Sequence, residues 1–214
     1  MRWREKAEAP LRATEGGRRG IREAIRPELP VYMDRIELAQ VVAAARALGP
    51  RTILEWGSGG SSAALLGACP TVERYVSIEH HAEWAERVRG LIDDPRFELH
   101  HVPAAEPEPE FPRKGPERTA AMEAWMTRGE TERALFADYV ARPAALGLEP
   151  QLALVDGRAR VFCMEAAWSL MASGGVILLH DAQREAYRAF VERCEDHVFL
   201  EPWRQGQVCL LRKP

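Results

Sequence analysis

The chain is 214 residues long, 46% hydrophobic and 29% charged, enough to bury one substantial core and short for two full domains. With 29 Lys and Arg against 32 Asp and Glu, the net charge of −3 provides no general positive field for nucleic-acid phosphates or an anionic membrane. No apolar run approaches the roughly 20 residues of a spanning helix, and the opening MRWREKAEAP lacks the apolar centre of a secretion signal, so a cytoplasmic protein is expected. Cys69, Cys163, Cys194 and Cys209 are scattered, without a CxxC pair or zinc-finger spacing, and read as core thiols.

Residues 1–33 mix Arg and Glu around Gly16 and Gly17 and read as an arm or lid, with the principal domain spanning 34–214. From Asp34 to Leu48, apolar residues recur at three- and four-residue steps, which predicts an amphipathic helix stopped by Gly49-Pro50. Short β-like runs then alternate with helical ones, as in a parallel α/β sheet. The strands fall at 52–56, 74–79, 97–102, 152–156 and 176–180, and the helices at 61–68, 82–92, 161–171 and 184–194. Residues 197–204 and 207–212 flank Gln205-Gly206, a pair suited to a tight turn, so the chain is expected to close with an antiparallel hairpin. About 50 residues separate the third strand from the fourth, an insertion at about 104–150. It opens with a Pro/Glu-rich stretch expected to be flexible, followed by a helix near 117–128 and a turn-like FADYV at 136–140.

The most specific segment is ILEWGSGGSSAALL. Glu55 ends an apolar strand, Trp56 follows, and Gly57, Ser58, Gly59, Gly60, Ser61 and Ser62 form a turn of small residues that leads into a helix. Glycines allow a ligand close to the backbone, and a helix N-terminus offers free N–H groups. Glu79 ends the next strand 22 residues after Gly57, where a carboxylate can accept hydrogen bonds from both hydroxyls of a ribose. His80 follows it, and Trp56 lies where it can cover a bound donor. GSGGSS nearly reads GxGxxG, but Ser62 occupies the position at which a dinucleotide fold places Gly or Ala.

With VDG at 155–157 and SGGVILLHDA at 173–182, these segments resemble the class I S-adenosylmethionine-dependent methyltransferase family, in particular methyltransferase-like proteins without an assigned substrate. The resemblance spans residues 34–212. It implies a Rossmann-like three-layer α/β sandwich with a mostly parallel seven-stranded sheet ordered 3-2-1-4-5-7-6 and a C-terminal antiparallel hairpin. It also implies S-adenosylmethionine at Glu55, Trp56, Gly57, Ser58, Gly59, Ser61, Ser62, Glu79, His80 and Asp156, with the acid at the Glu55 position ordering the loop and the methionine part of the donor.

Asp156, His180 and Asp181 fall at the carboxyl ends of the fourth and fifth strands, which as neighbours about 4.8 Å apart converge on the ligand crevice of an open α/β sheet. Two carboxylates there repel one another unless a cation, a proton or a donor stands between them. Some small-molecule O-methyltransferases similar to this chain hold a divalent metal at these strand ends, which makes Asp156 and Asp181 candidate Mg²⁺ ligands. Ala182 replaces the Asn of the catechol-type pattern and removes one ligand. His180 is the alternative, as a general base whose unperturbed pKa of about 6.5 suits the task. His180 and Asp181 as simple helix caps are a third reading.

Arg158 and Arg160 are candidates for binding an acidic group of the substrate, and Tyr139 for lining its entrance. The expected function is methyl transfer, at oxygen, to a small-molecule acceptor, with Asp156, His180 and Asp181 as catalytic candidates and self-association left open. A non-catalytic nucleoside-binding or regulatory protein and an NAD-dependent oxidoreductase are the alternatives.

Overall fold

A computed structural model describes residues 29–112 and 114–214; most of the arm assigned to residues 1–33 lies outside the described residues. Asp34 starts the first of the described helices, α1 (Arg35–Leu48), by accepting from the Ile36 amide at 2.9 Å, while the Glu37 carboxylate takes the Asp34 amide at 2.7 Å. This reciprocal pairing satisfies two N–H groups that a helix start leaves without partners. Gly49 closes the helix at φ +60, a left-handed position that favours glycine.

The chain continues through β1 (Thr52–Trp56), α2 (Gly60–Ala68), β2 (Arg74–Glu79), α3 (Ala82–Leu91) and β3 (Phe97–His101). It then forms α4 (Pro116–Thr131), a 3₁₀ turn (Arg133–Phe136), α5 (Ala137–Ala145), β4 (Leu152–Val155), α6 (Arg160–Leu170) and β5 (Val176–Leu179). The last elements are α7 (Glu185–Arg193), β6 (His197–Phe199) and β7 (Cys209–Arg212). The seven strands are ordered β3-β2-β1-β4-β5-β7-β6, with β7 antiparallel to both neighbours, the order expected. Inserting an antiparallel β7 departs from the 3-2-1-4-5-6 order of a dinucleotide-binding sheet.

Successive strand residues point to opposite faces, so the sheet carries two cores. Ile53, Tyr75, Leu152 and Leu178 pack with Leu38, Val41 and Leu65 on the face of α1 and α2. Leu54, Val76, Val155 and Ile177 pack with Trp125, Phe136, Tyr139, Met164 and Tyr187 on the other. With both faces covered, β1, β4 and β5 read as almost unbroken apolar runs.

Two expectations are corrected. FADYV is helical, closing the 3₁₀ turn and opening α5, because Leu135, Phe136, Tyr139 and Val140 recur at helical spacing and are buried together. Gln205-Gly206 is not a two-residue turn: β6 ends at Phe199, β7 begins at Cys209, and a loop joins them. The Arg204 and Gln205 amides donate to the buried Glu37 carboxylate at 2.7 and 2.8 Å, and the Gln40 side chain donates to Pro202 O at 2.9 Å. Hydrogen bonds to α1 thus take the place of the expected ladder across the loop.

Candidate active site

The register levels the carboxyl ends of β1, β2, β4 and β5. Trp56 pairs with Ile78 and Val155, and Val155 with Leu179, so Gly57, Glu79, Asp156 and His180 lie along one edge. Gly57 N bonds to Ile78 O, Asp156 N to Trp56 O and His180 N to Val155 O, at 3.0, 3.0 and 3.2 Å, extending the ladders into the loops.

On the β1–β2 side, Glu55 is wholly buried. Ser61 Oγ donates to it at 2.7 Å, Ser77 Oγ at 3.0 Å, and Ser62 Oγ also donates. Ser62 Oγ accepts from the Gly59 amide at 3.0 Å, which ties the glycine loop to the carboxylate beneath it. Burial pushes the Glu55 carboxyl up and the serine hydroxyls pull it back, leaving its pKa at about 7. Gly57 has φ +94, and a Cβ there would lie 2.8 Å from Gly157, so the loop crosses the β4 end with room for backbone only.

Glu79 is 3% exposed. One oxygen accepts the His80 and His81 amides at 2.8 and 2.9 Å and lies 2.9 Å from His80 Nδ1; the other takes only long bonds from Ser58, at 3.2 Å from the amide and 3.4 Å from the hydroxyl. Burial raises the carboxyl's pKa, but His80 and the two amides outweigh burial and hold it below the usual range. Glu79 is thus an ionised acceptor with spare capacity on one oxygen.

Within the turn before α2, the amides of Gly57, Ser58, Gly59 and Gly60 bond to Ile78 O, Glu79, Ser62 Oγ and Pro30 O. Trp56 has no exposed surface and donates to Tyr139 O at 3.1 Å, so it underlies the loop instead of covering it. Trp84, which periodicity did not single out, stands over the loop: its indole donates to Ser58 O at 2.7 Å and its ring packs against Tyr32.

On the β4–β5 side, His180 Nδ1 lies 2.8 Å from Asp156 Oδ1 and 3.9 Å from Asp181 Oδ1. A carboxylate at Asp156 can only accept, so this contact suits a proton on Nδ1. Nε2 is buried and has no hydrogen-bond partner among the described residues. Gly206 sits against it, and a Cβ there would overlap both the imidazole and Asp181 Oδ1. Asp181 itself holds φ +59 and accepts from Arg184 at 2.5 Å.

Arg160, expected at the substrate, is turned inward and is 6% exposed. Its guanidinium lies 3.2 Å from both Asp156 Oδ1 and Asp181 Oδ2. It fills the space between the carboxylates where a divalent ion was the alternative. No group of three or more His, Cys, Asp or Glu among the described residues is arranged to hold a metal, and Ala182 offers no side-chain ligand. Asp156 and Asp181 therefore do not fit a Mg²⁺ site. Arg158 stays nearer the surface, 4.0 Å from Glu108. Tyr139 is wholly buried, with its hydroxyl over Gly157, so it packs in the core instead of lining an entrance.

No protein-family model and no curated protein matches the sequence. Solved structures do. An O-methyltransferase from Bacillus cereus, in complex with SAH, is similar at TM-score 0.62 and 15% identity over 98% of this chain and 96% of that one. A methyltransferase-like protein from Silicibacter pomeroyi DSS-3 is similar at TM-score 0.55 and 20% identity, covering 87% and 90%. An O-methyltransferase of tomaymycin synthesis from Streptomyces achromogenes, in complex with SAM, is similar at TM-score 0.54 and 17% identity, covering 98% and 95%. The chain therefore has the Rossmann-like fold of these methyltransferases. No helix among the described residues is long and apolar enough to cross a membrane.

Proposed function

We propose that this protein is an S-adenosylmethionine-dependent methyltransferase that methylates a hydroxyl of a small molecule in the cytoplasm. One observation carries the reading: an ionised acceptor (Glu79), a loop with a backbone-only floor (Gly57 over Gly157) and an Asp156–His180 pair share one edge of a methyltransferase-type sheet. The SAH and SAM bound in two of the similar structures support the donor class.

Glu79 would accept the ribose hydroxyls through its less committed oxygen, and Glu55 would brace the loop beneath the methionine part. When bound, the donor supplies an electrophilic methyl group on a sulfonium and leaves as a neutral thioether. Asp156, 2.8 Å from Nδ1, would hold the imidazole with the proton on that nitrogen. Nε2 would take the hydroxyl proton of an acceptor brought beside it, leaving the oxygen's electron pair for the donor's methyl group. Asp156 then stabilises the imidazolium, and the remaining rate gain comes from alignment.

A second reading, a nucleoside-binding protein without turnover, is favoured by Gly206 seated on Nε2. Calorimetric titration with S-adenosylhomocysteine tests the donor site, and micromolar binding is expected. No binding, or binding that NAD displaces, overturns the assignment. Tight binding with no methyl transfer across a broad panel of hydroxylated acceptors selects the second reading.

A further inference from the structure

We infer that Arg160 is a built-in cation of the acceptor site that holds Asp156 and Asp181 together in place of a divalent metal and positions the Asp156–His180 pair, so that deprotonation of the acceptor is metal-independent. The inference rests on the methyltransferase reading for its reaction. The cation and its contacts stand apart from that reading.

The guanidinium makes four hydrogen bonds and two ion-pair contacts to the two loops that leave β4 and β5. Nε donates to Gly157 O at 3.0 Å, and Nη1 to His180 O at 2.7 Å and to Asp181 Oδ2 at 3.2 Å. Nη2 donates to Asp156 O at 3.0 Å and lies 3.2 Å from Asp156 Oδ1. The planar fork thus donates four hydrogen bonds in fixed directions, which an ammonium with three donors cannot reproduce. Burial by itself would ease the proton off this guanidinium, but Asp156, Tyr187, Asp181 and Glu130 raise its pKa further, so the positive charge is permanent.

Charge balance argues the same way. Asp156 and Asp181 are matched by Arg160 and Arg184, so the two carboxylates already have two fixed positive charges beside them. A Mg²⁺ ion would add two positive charges beside a buried guanidinium, and it demands about six oxygens near 2.1 Å. Here Asp156 Oδ1 is already shared by His180 and Arg160, and Asp181 Oδ2 by Arg160 and Arg184. The local backbone serves the same arrangement. Ala159, at φ +54, turns the chain just before α6 so that Arg160 points back under β4 and β5. An alanine rarely holds that conformation unless its surroundings enforce it. Arg160 acts on the acceptor only through Asp156 and His180, which makes it a positioning residue.

Two measurements on the purified full chain test this without any acceptor. Titration with Mn²⁺, followed by electron paramagnetic resonance, should leave the free-ion signal of the wild type undiminished at millimolar ion. In Arg160→Gln, with the two carboxylates no longer bridged, the same titration should show Mn²⁺ affinity raised about tenfold or more. Nitrogen NMR of ¹⁵N-histidine-labelled protein should show His180 protonated at Nδ1 in the wild type with or without Mg²⁺. That signature should be lost in Arg160→Gln and partly restored in Arg160→Lys. Micromolar Mn²⁺ binding by the wild type, abolished in Asp156→Asn, overturns the inference; so does an Nε2-protonated His180. Should Arg160→Gln fail to fold, the two wild-type results decide alone. Failure of S-adenosylhomocysteine to bind would sink the methyltransferase reading and leave these outcomes readable.

Discussion

The two halves of the strand-end row are held by different chemistry. On the β1–β2 side a buried carboxylate, Glu55, is held by the neutral hydroxyls of Ser61, Ser62 and Ser77. On the β4–β5 side two carboxylates are held by the fixed charges of Arg160 and Arg184. Hydroxyl donors leave a carboxyl free to take up a proton when burial makes its charge costly, whereas a guanidinium keeps its charge over the whole working pH range. The first half should therefore respond to pH in its stability, and the second should respond to substitution in its rate.

Four experiments can break or sharpen this contrast. Gly57→Val should have the largest effect: φ +94 and a Cβ 2.8 Å from Gly157 leave no place for the side chain, and calorimetry should find no remaining S-adenosylhomocysteine binding. Unchanged affinity would remove the loop from the donor site. Next, His180→Gln should keep donor affinity while kcat falls by about 100- to 1,000-fold, the usual scale for losing a general base. A fall in donor binding of the same size would mean that His180 serves the other half.

Third comes Glu55→Gln. The folded carboxyl titrates at about 7 against an ordinary 4.5, so its contribution to stability is complete below 4.5 and disappears as pH rises through 7. That difference amounts to about 3 kcal/mol. Wild-type Tm should decline across that window, and the decline should flatten in Glu55→Gln; equal slopes in differential scanning calorimetry would refute the assignment. The smallest effect is expected far from the site. Arg51 and Glu73 pair with side chains 67% and 61% exposed, and Arg51→Ala should change unfolding free energy in urea by less than about 0.5 kcal/mol.

The β1–β2 half of the row was legible in the sequence because its parts are local. Glu55, the glycines and the two loop serines lie in a single strand-turn-helix segment, and the strands at 52–56 and 74–79 end where the apolar runs end. The β4–β5 half was legible only as a set of residues. Asp156, His180 and Asp181 could be placed at strand ends, but the role of Arg160 depends on an alanine in a left-handed conformation, which no residue preference announces. It depends also on partners as far as 21 residues away in the chain. Gln205-Gly206 misled for a related reason: a glycine needed for close packing on His180 looks, in sequence, like one needed for a turn. Trp84 has the spacing of an ordinary helix-face residue, and only the Ser58 carbonyl beneath it distinguishes it.

Glu37 accepts both from the Asp34 amide at the start of α1 and from the Arg204 and Gln205 amides of the loop over His180. One carboxylate thus closes a helix terminus and latches a segment 167 residues further on. Fraying of the first turn of α1 and release of that loop then become a single cooperative opening, so the amides at both places should exchange with one shared opening free energy. Any access route to the histidine that runs beneath Gly206 would inherit its timing from the beginning of α1.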